Sequence, residues 1–151
     1  MSEQLPWKYT SPFVQQWTID ETHIDHYQHV NNVAYLTRLE QLAWAHSHSL
    51  GLNFKNYREA DRGMVIRKHE LNYLLPSHLG DELYCATWIT ECDNVVTLKR
   101  EFQFICPRRN KPVFEAQTQF ICVSISSGAP KRMPPLFRET YGNACIGNAS
   151  E

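Results

Sequence analysis

Apolar and polar residues alternate along several short segments of the chain, most clearly between Val95 and Cys106. In that segment the apolar side chains occupy even-numbered positions, namely Val96, Leu98, Phe102 and Phe104. The polar side chains occupy odd-numbered positions, namely Lys99, Glu101 and Gln103. Such alternation is typical of a sheet with one face in water. Turns rich in Pro, Gly, Asp and Asn separate the segments. The pattern predicts strands at Phe13 to Thr22, Met64 to Leu75, Glu82 to Cys92, Val95 to Cys106 and Val113 to Ile125.

Between the first two predicted strands the pattern becomes that of a helix. Residues Val33 to Leu50 contain neither Pro nor Gly, and Gly51 follows as a stop signal. One apolar stripe recurs near the helical period, and other apolar residues extend it around the cylinder: Leu36, Leu39, Leu42, Ala43 and Leu50, then Ala34, Tyr35, Trp44 and Ala45. A helix that is apolar nearly all round is expected to be covered on most sides.

The order of elements predicts an α+β fold, with one curved, mostly antiparallel five-stranded sheet wrapped around a long central helix. One strand and one helix are followed by four strands with short turns, a spacing that favours antiparallel pairing. Short helical pieces are expected at Tyr57 to Ala60 and from Pro134 to Tyr141. The 151 residues show no internal repeat or linker, so we expect one domain over 1–151 with its core at about 13–141.

Composition narrows the class of protein. Fifteen basic residues face sixteen acidic ones, so bulk charge does not suggest nucleic-acid binding. No apolar run approaches the length of a membrane span, and Met1 to Tyr9 lacks the arrangement of a signal peptide. The five cysteines include no CxxC pair, which indicates reduced packing residues in a reducing compartment. We therefore expect a cytoplasmic protein.

Candidate chemistry concentrates where the first strand gives way to the helix, in the segment from Asp25 to Tyr35. Asn31 and Asn32 are candidate N-caps, because their side-chain oxygens can accept from unpaired backbone N–H groups. Free N–H groups and the helix dipole favour negative charge, such as a developing oxyanion. Asp25 could supply the base or the nucleophile. An aspartate in this position is, taken alone, more often a cap or loop residue than a catalyst.

Three stretches in this order resemble the 4-hydroxybenzoyl-CoA thioesterase-like family of the hotdog fold, particularly its long-chain acyl-CoA thioesterase branch. The first contains Asp25, His29-Val30-Asn31-Asn32, Tyr35 and Leu39-Glu40. The second runs from Glu70 to Pro76 and on to Leu79-Gly80-Asp81-Glu82-Leu83, and the third is Lys131-Arg132-Met133-Pro134. The similarity covers roughly Phe13 to Tyr141.

The resemblance implies an acyl-CoA thioesterase that hydrolyses a fatty or aromatic acyl thioester to acid and free CoA. The family's catalytic aspartate matches Asp25, and the backbone N–H that polarises the thioester carbonyl matches that of Asn32. Asp25 either activates water or attacks directly to give a transient anhydride, and both routes stay open. The family implies a homodimer or homotetramer with acyl-CoA at the subunit boundary. No metal or other cofactor is expected, since CoA is part of the substrate.

Further residues are expected to bind the substrate. Tyr27, Val33 and Tyr35 are expected to line the acyl or pantetheine slot, with His29 and Asn31 beside them. The phosphates of CoA need cationic partners. The candidates are Lys131 and Arg132, followed by Arg67 and Lys68.

Two departures and three alternatives qualify this interpretation. Many relatives carry a second Asp where this chain has His23, and other branches carry Gly in place of Gln28.

A hotdog hydratase or dehydratase would use His29 with Glu40. A module that binds acyl-CoA or acyl carrier protein without turnover is the non-enzymatic alternative. A metal site is disfavoured, because histidines every three residues along a loop, as at His26, do not converge on one ion.

Overall fold

The structure is a computed structural model that describes residues 4–149, so the first three residues of the N-terminal segment lie outside it. The strands are β1 (Phe13–Thr18), β2 (Arg62–Tyr73), β3 (Glu82–Cys92), β4 (Thr97–Cys106) and β5 (Lys111–Ser124). The helices are α1 (Asn32–Ser49), α2 (Phe54–Ala60), α3 (Pro135–Ala144) and α4 (Ile146–Ala149), with a 3-10 turn at Glu21–His23. None of the helices in the described range is both long and apolar enough to cross a membrane.

The five strands form one sheet in the order β1-β3-β4-β5-β2. Strands β1 and β3 pair antiparallel, with Phe13 opposite Thr87 and Thr18 opposite Glu82. Side chains of α1 and of the sheet share one apolar cluster, so the helix packs against the sheet. The predicted α+β architecture, a five-stranded antiparallel sheet with one long helix, is confirmed.

Local capping explains where element boundaries differ from the prediction. Strand β1 ends at Thr18 rather than Thr22, because Asp20 starts the 3-10 turn by accepting the Thr22 N–H at 2.9 Å. Helix α2 is longer than the predicted single turn. Asn53 caps it by accepting the Asn56 N–H at 3.1 Å, and the Asn56 side chain accepts the Asn53 N–H at 2.9 Å.

The described chain divides into two compact units, each with its own apolar core. The first unit holds the residues up to Ala43 together with Leu71–Thr87 and Phe102–Ala116, and the second holds Trp44–Glu70, Trp88–Glu101 and the residues from Gln117. Trp17, Leu42 and Phe104 are central in the first core, and Phe137 and Tyr141 in the second. The expectation of a single domain over 1–151 stays a prediction.

Helix α1 is less covered than its composition predicts. Its buried positions form a single stripe, which consists of Tyr35, Leu39, Leu42, His46 and Ser47. Val33 is 66% exposed and Trp44 43% exposed on other faces. Within the described chain, therefore, one face of α1 is buried against the sheet and the others remain accessible.

The prediction that the polar side chains of β4 face solvent is wrong for the second half of the strand. Glu101 and Gln103 are buried, although they occupy the positions of the predicted solvent-exposed face. The backbone N–H of Lys8 donates to Gln103 Oε1 at 2.9 Å, and Gln103 Nε2 donates to Glu115 Oε2 at 2.6 Å. The N-terminal segment and the neighbouring strand thus supply the polar partners that water would otherwise provide.

A buried cation lies within the second unit. Arg100 is 2% exposed and donates to His46 Nδ1 at 2.6 Å and to Ser47 Oγ at 2.8 Å. Because a guanidinium can only donate, His46 must accept and is therefore neutral. Burial, and secondly the charge of Arg100, lowers the pKa of His46 to about 3.

This arrangement predicts a pH-dependent stability. Unfolded His46 binds a proton below pH about 6.5, whereas the folded residue does so only near pH 3. The contribution of neutral His46 to the free energy of unfolding is therefore complete above pH about 6.5 and is lost as the pH falls toward 3. Urea unfolding should show about 2 kcal/mol less stability from this group at pH 5 than at pH 7.

Two histidine variants isolate the contribution of His46. His46→Asn keeps an acceptor for Arg100 but cannot titrate, so its stability should change less between pH 7 and pH 5 than that of the wild type. His48→Asn, at an exposed position of the same helix, is the matched control and should keep the wild-type dependence. Equal slopes for the wild type and His46→Asn would show that His46 is not the titrating group.

Candidate active site

The loop between β1 and α1 is closed by backbone hydrogen bonds. Ile24 and Val30 form an isolated antiparallel bridge, and the Asn31 N–H donates to the His23 carbonyl at 2.7 Å. Gln28, at the position where other branches carry Gly, has a φ of 62°. This is the left-handed region that favours glycine, which explains the preference of those branches.

Asp25 lies half-buried in this loop, and its two carboxylate oxygens differ. Oδ1 accepts the Tyr27 N–H at 2.8 Å and the His29 N–H at 3.3 Å. Oδ2 accepts no hydrogen bond from any residue that the structure describes. The carboxylate therefore holds its own loop through one oxygen, while the other has no hydrogen-bond partner among the described residues.

The backbone amides at the start of α1 are nearly all occupied. The Val33 N–H donates to Asn31 Oδ1 at 2.7 Å, and the Ala34 N–H donates to the Asn31 carbonyl at 3.0 Å. Asn31 is thus the residue that caps the helix, and its own N–H is bonded to His23. Within the described residues, the Asn32 N–H has no acceptor. It is the one donor among these four amides that remains available at the positive end of the helix dipole.

The residues predicted to line the acyl or pantetheine slot lie in different environments. Tyr27 is 80% exposed beside the loop, and Val33 is exposed on α1. Tyr35 is buried in the core of the first unit, where its ring stacks on that of Phe114 with centroids 4.9 Å apart. Burial raises the pKa of the Tyr35 phenol. The role of these residues in binding stays a prediction.

The four candidate phosphate partners are exposed cations of the second unit. Arg67 and Lys68 lie on β2, and Lys131 and Arg132 follow β5. The backbone of this last pair is fixed, since the Lys131 N–H donates to a carbonyl of β5 and the Arg132 carbonyl accepts from Arg62 Nε. Asp25 and Asn32 belong to the first unit. Binding of CoA phosphates by the four cations stays a prediction.

His23, the departure from the family's second aspartate, completes the turn before the loop. Its Nδ1 accepts the Asp20 N–H at 3.0 Å, and its ring packs edge-on against Trp17 with centroids 5.1 Å apart. An accepting Nδ1 leaves the proton on Nε2. The structure thus gives His23 a capping role in the turn.

Sequence reasoning missed two groups of residues near this loop. His78 packs edge-on against His29 at 5.2 Å, and the buried Asp81 accepts the His78 N–H at 2.9 Å and an Arg108 N–H at 2.8 Å. Asp81 belongs to the second stretch that resembles the family, but neither Asp81 nor His78 was assigned a role from the sequence. The second is Arg38, whose guanidinium carbon lies 5.1 Å from the centre of the Trp17 ring. Arg38 lies seven residues after Asn31 on the same helix face, and this spacing could have indicated from the sequence that it belongs to the start of the helix.

The residues of the alternative hydratase site are also present. Glu40 is exposed on α1, and His29 is half-buried in the loop. Among the described residues, no three His, Cys, Asp or Glu side chains are grouped as metal ligands.

Comparisons with known proteins identify the class. A family model described as the thioesterase-like superfamily matches residues 19–140. This match spans most of the chain, and the chain belongs to that superfamily. The predicted resemblance is confirmed, and the protein is an enzyme of the thioester hydrolase class. No curated protein sequence matches the chain significantly.

Solved structures share the fold. A 1,4-dihydroxy-2-naphthoyl-CoA thioesterase from Synechocystis is 15% identical with a TM-score of 0.78, covering 88% of this chain and 97% of that one. YbaW, a probable thioesterase from Escherichia coli, is 23% identical with a TM-score of 0.74, covering 87% and 97%. A Staphylococcus aureus protein solved in complex with CoA is 15% identical with a TM-score of 0.83, covering 91% and 85%. These similarities confirm the hotdog fold.

Proposed function

We propose that this protein is an acyl-CoA thioesterase that hydrolyses a fatty or aromatic acyl-CoA to the free acid and CoA. The observation that carries the proposal is the unpaired Asn32 N–H, at the start of a helix that follows directly on the Asp25 loop. An available amide and an available carboxylate oxygen are the two groups that acyl transfer to water requires. The named CoA thioesterase and the CoA complex among the structural neighbours support CoA as the thiol.

In the proposed reaction, the thioester carbonyl oxygen accepts the Asn32 N–H. Negative charge develops on this oxygen in the tetrahedral intermediate, where the amide and the helix dipole stabilise it. Asp25 Oδ2 either removes a proton from the attacking water or attacks the carbonyl carbon itself. The carbon–sulfur bond then breaks and CoA leaves as the thiol after protonation. In the second route, water hydrolyses the resulting anhydride and restores the carboxylate.

The rest of the site is assigned by the same proposal. Tyr27, Val33 and Tyr35 line the acyl or pantetheine slot, and His29 and Asn31 hold its loop and helix start. The cations at 67, 68, 131 and 132 bind the phosphates of CoA. The enzyme works in the cytoplasm as a homodimer or homotetramer, with no cofactor beyond the CoA of its substrate.

A panel of acyl-CoA thioesters, from short to long and aromatic, tests the function with a reagent that detects free thiols. The proposal expects thiol release from at least one member at a rate proportional to enzyme concentration. Hydration of an enoyl-CoA without thiol release would instead favour the His29 and Glu40 alternative. Tight acyl-CoA binding with no thiol release over hours would overturn the proposed hydrolysis of acyl-CoA in favour of a binding module.

A further inference from the structure

The segment between β2 and β3 makes two contacts with the loop that contains Asp25. The Val30 N–H donates to the Ser77 carbonyl oxygen at 2.9 Å. One residue earlier in the loop, the ring of His29 lies edge-on against the ring of His78, with the centroids 5.2 Å apart and the planes at 82°. All of these residues belong to the first unit. The closing end of the loop is therefore attached to a neighbouring turn.

His29 and Asp25 are joined by two hydrogen bonds. The Asp25 N–H donates to the His29 carbonyl oxygen at 2.9 Å, and the His29 N–H donates to Asp25 Oδ1 at 3.3 Å. Both the backbone and the carboxylate of Asp25 are thus bonded to His29. A displacement of His29 therefore displaces Asp25 Oδ2 as well.

The turn that carries His78 is fixed by the buried Asp81. The His78 N–H donates to Asp81 Oδ2 at 2.9 Å, and the Asp81 N–H donates to the His78 carbonyl oxygen at 3.0 Å. Asp81 Oδ1 accepts an Arg108 N–H at 2.8 Å, a charge-assisted hydrogen bond. The Asp81 carbonyl oxygen accepts the Ile19 N–H at 2.9 Å, directly after β1. The backbone of His78 is therefore held in place from two neighbouring segments.

The contact between His78 and the loop is made by the imidazole ring. Edge-to-face packing is a favoured arrangement of aromatic rings, and it needs a ring on both sides. His78 Nδ1 lies 3.7 Å from Asp81 Oδ2, which is longer than a hydrogen bond. The His78 side chain is also 48% exposed, so its replacement opens no cavity in the core.

We infer that His78 is a positioning residue of the thioesterase reaction, which holds His29 and, through it, the Asp25 carboxylate. The inference rests on the proposed function, because it takes Asp25 as the base or the nucleophile. His78 acts by the packing of its ring and transfers no proton. A misplacement of a reacting group by about 1 Å can lower a rate on the order of a hundredfold. A loss of positioning should therefore lower kcat and leave KM nearly unchanged.

Two variants test the ring, and both retain the backbone groups of residue 78 that bond to Asp81. His78→Ala removes the ring and should lower kcat about ten- to a hundredfold, with KM within about twofold of the wild type. His78→Phe retains a ring for the edge-on contact but has no ring nitrogen, and it should keep kcat within about threefold of the wild type. Thiol release from an acyl-CoA that the wild type cleaves measures both constants. An equal loss in the two variants would assign the effect to the ring nitrogens and overturn the inference.

The Asp25→Asn background tests whether His78 acts through Asp25. That background has no carboxylate to position, so His78→Ala should not lower its residual turnover further. If His78→Ala causes the same fold loss in both backgrounds, His78 acts independently of Asp25 and the inference is wrong.

Leu79→Ala is the matched control for the turn. Leu79 follows His78 directly and is 56% exposed. Its truncation should leave kcat and KM at their wild-type values, and thermal unfolding shows that each compared protein is folded. An equal loss of kcat in Leu79→Ala and His78→Ala would assign the effect to the turn as a whole and contradict the inference.

Amide hydrogen exchange, measured by NMR without substrate, separates this inference from the proposed function. The Asp25 and Val30 N–H groups close the loop, so their exchange rates report its opening. If no thioester is cleaved but His78→Ala accelerates both rates about tenfold and His78→Phe does not, positioning by His78 stands and hydrolysis is wrong. If thioesters are cleaved and His78→Ala has the wild-type kcat, hydrolysis stands and the inference is wrong.

Discussion

Asp25→Asn should lower kcat/KM about 10²- to 10⁴-fold on every thioester that the wild type cleaves. The asparagine side-chain oxygen can still accept the Tyr27 and His29 N–H groups, so the loop should keep its conformation. The neutral amide, however, can neither remove a proton from water nor attack the carbonyl. Thiol release measures the loss, and thermal unfolding of the same samples shows that the fold is intact.

Asp20→Asn is the matched control for this change. Asp20 is also a carboxylate that accepts a backbone N–H two residues later, from Thr22 at 2.9 Å. It has no role in the proposed reaction, and turnover should stay within a few-fold of the wild type. Unchanged turnover in Asp25→Asn, or an equal loss in both variants, would place the reactive group elsewhere.

A single turnover in oxygen-18-labelled water can demonstrate the anhydride route, one of the two that remain open for Asp25. When Asp25 acts as a base, the water oxygen enters the product acid directly. When an anhydride forms and water attacks its Asp25 carbonyl, the label enters the protein instead. Mass spectrometry of the product and of the peptide that contains Asp25 shows which of the two carries the label.

Asn32→Pro should lower turnover about 10²- to 10³-fold while the protein stays folded. Proline has no N–H, so the change removes the Asn32 N–H, which has no acceptor among the described residues. The stability cost should be small, because proline is tolerated at the first position of a helix, where its φ is already helical. The cap from Asn31 to the Val33 N–H is not altered. Thiol release and urea unfolding measure the two effects separately.

Asn32→Ala provides the comparison for the proline variant. It removes the exposed side chain of Asn32 but retains the backbone N–H, so the turnover should remain near the wild-type value. A similar loss in both variants would assign the effect to the side chain. Wild-type turnover in a folded Asn32→Pro protein would exclude this amide as the oxyanion donor.

The elements of the fold follow from local patterns, and their errors have identifiable causes. The bounds of β3 are those predicted, because a mostly apolar run is enclosed by turn residues on both sides. The end of β1 was misplaced by the capping action of Asp20, a local signal that was not recognised. The burial of Gln103 depends on Lys8, which lies 95 residues away in the sequence. No local pattern contains that information.

Part of the candidate site could likewise be predicted from the sequence, and part of it could not. Asp25, Asn31 and Asn32 could be proposed from the sequence, because capping and loop hydrogen bonds join residues only a few positions apart. The contact between Arg38 and the ring of Trp17 could not, because it needs β1 to pack against the face of α1. The burial of Arg100 could not be predicted either, since its partners Ser47 and His46 lie 53 and 54 residues away.

By itself, the sequence determined which segments form strands and helices, where the long helix starts, and which acid precedes it. These properties depend on side-chain patterning and on contacts between near neighbours. Only the tertiary structure decided that the Asn32 amide, Asp25 Oδ2 and the Arg38 guanidinium have no hydrogen-bond partner among the residues that it describes. Whether a donor or acceptor is satisfied depends on every group that folding brings within hydrogen-bond distance, and most of those groups are distant along the chain.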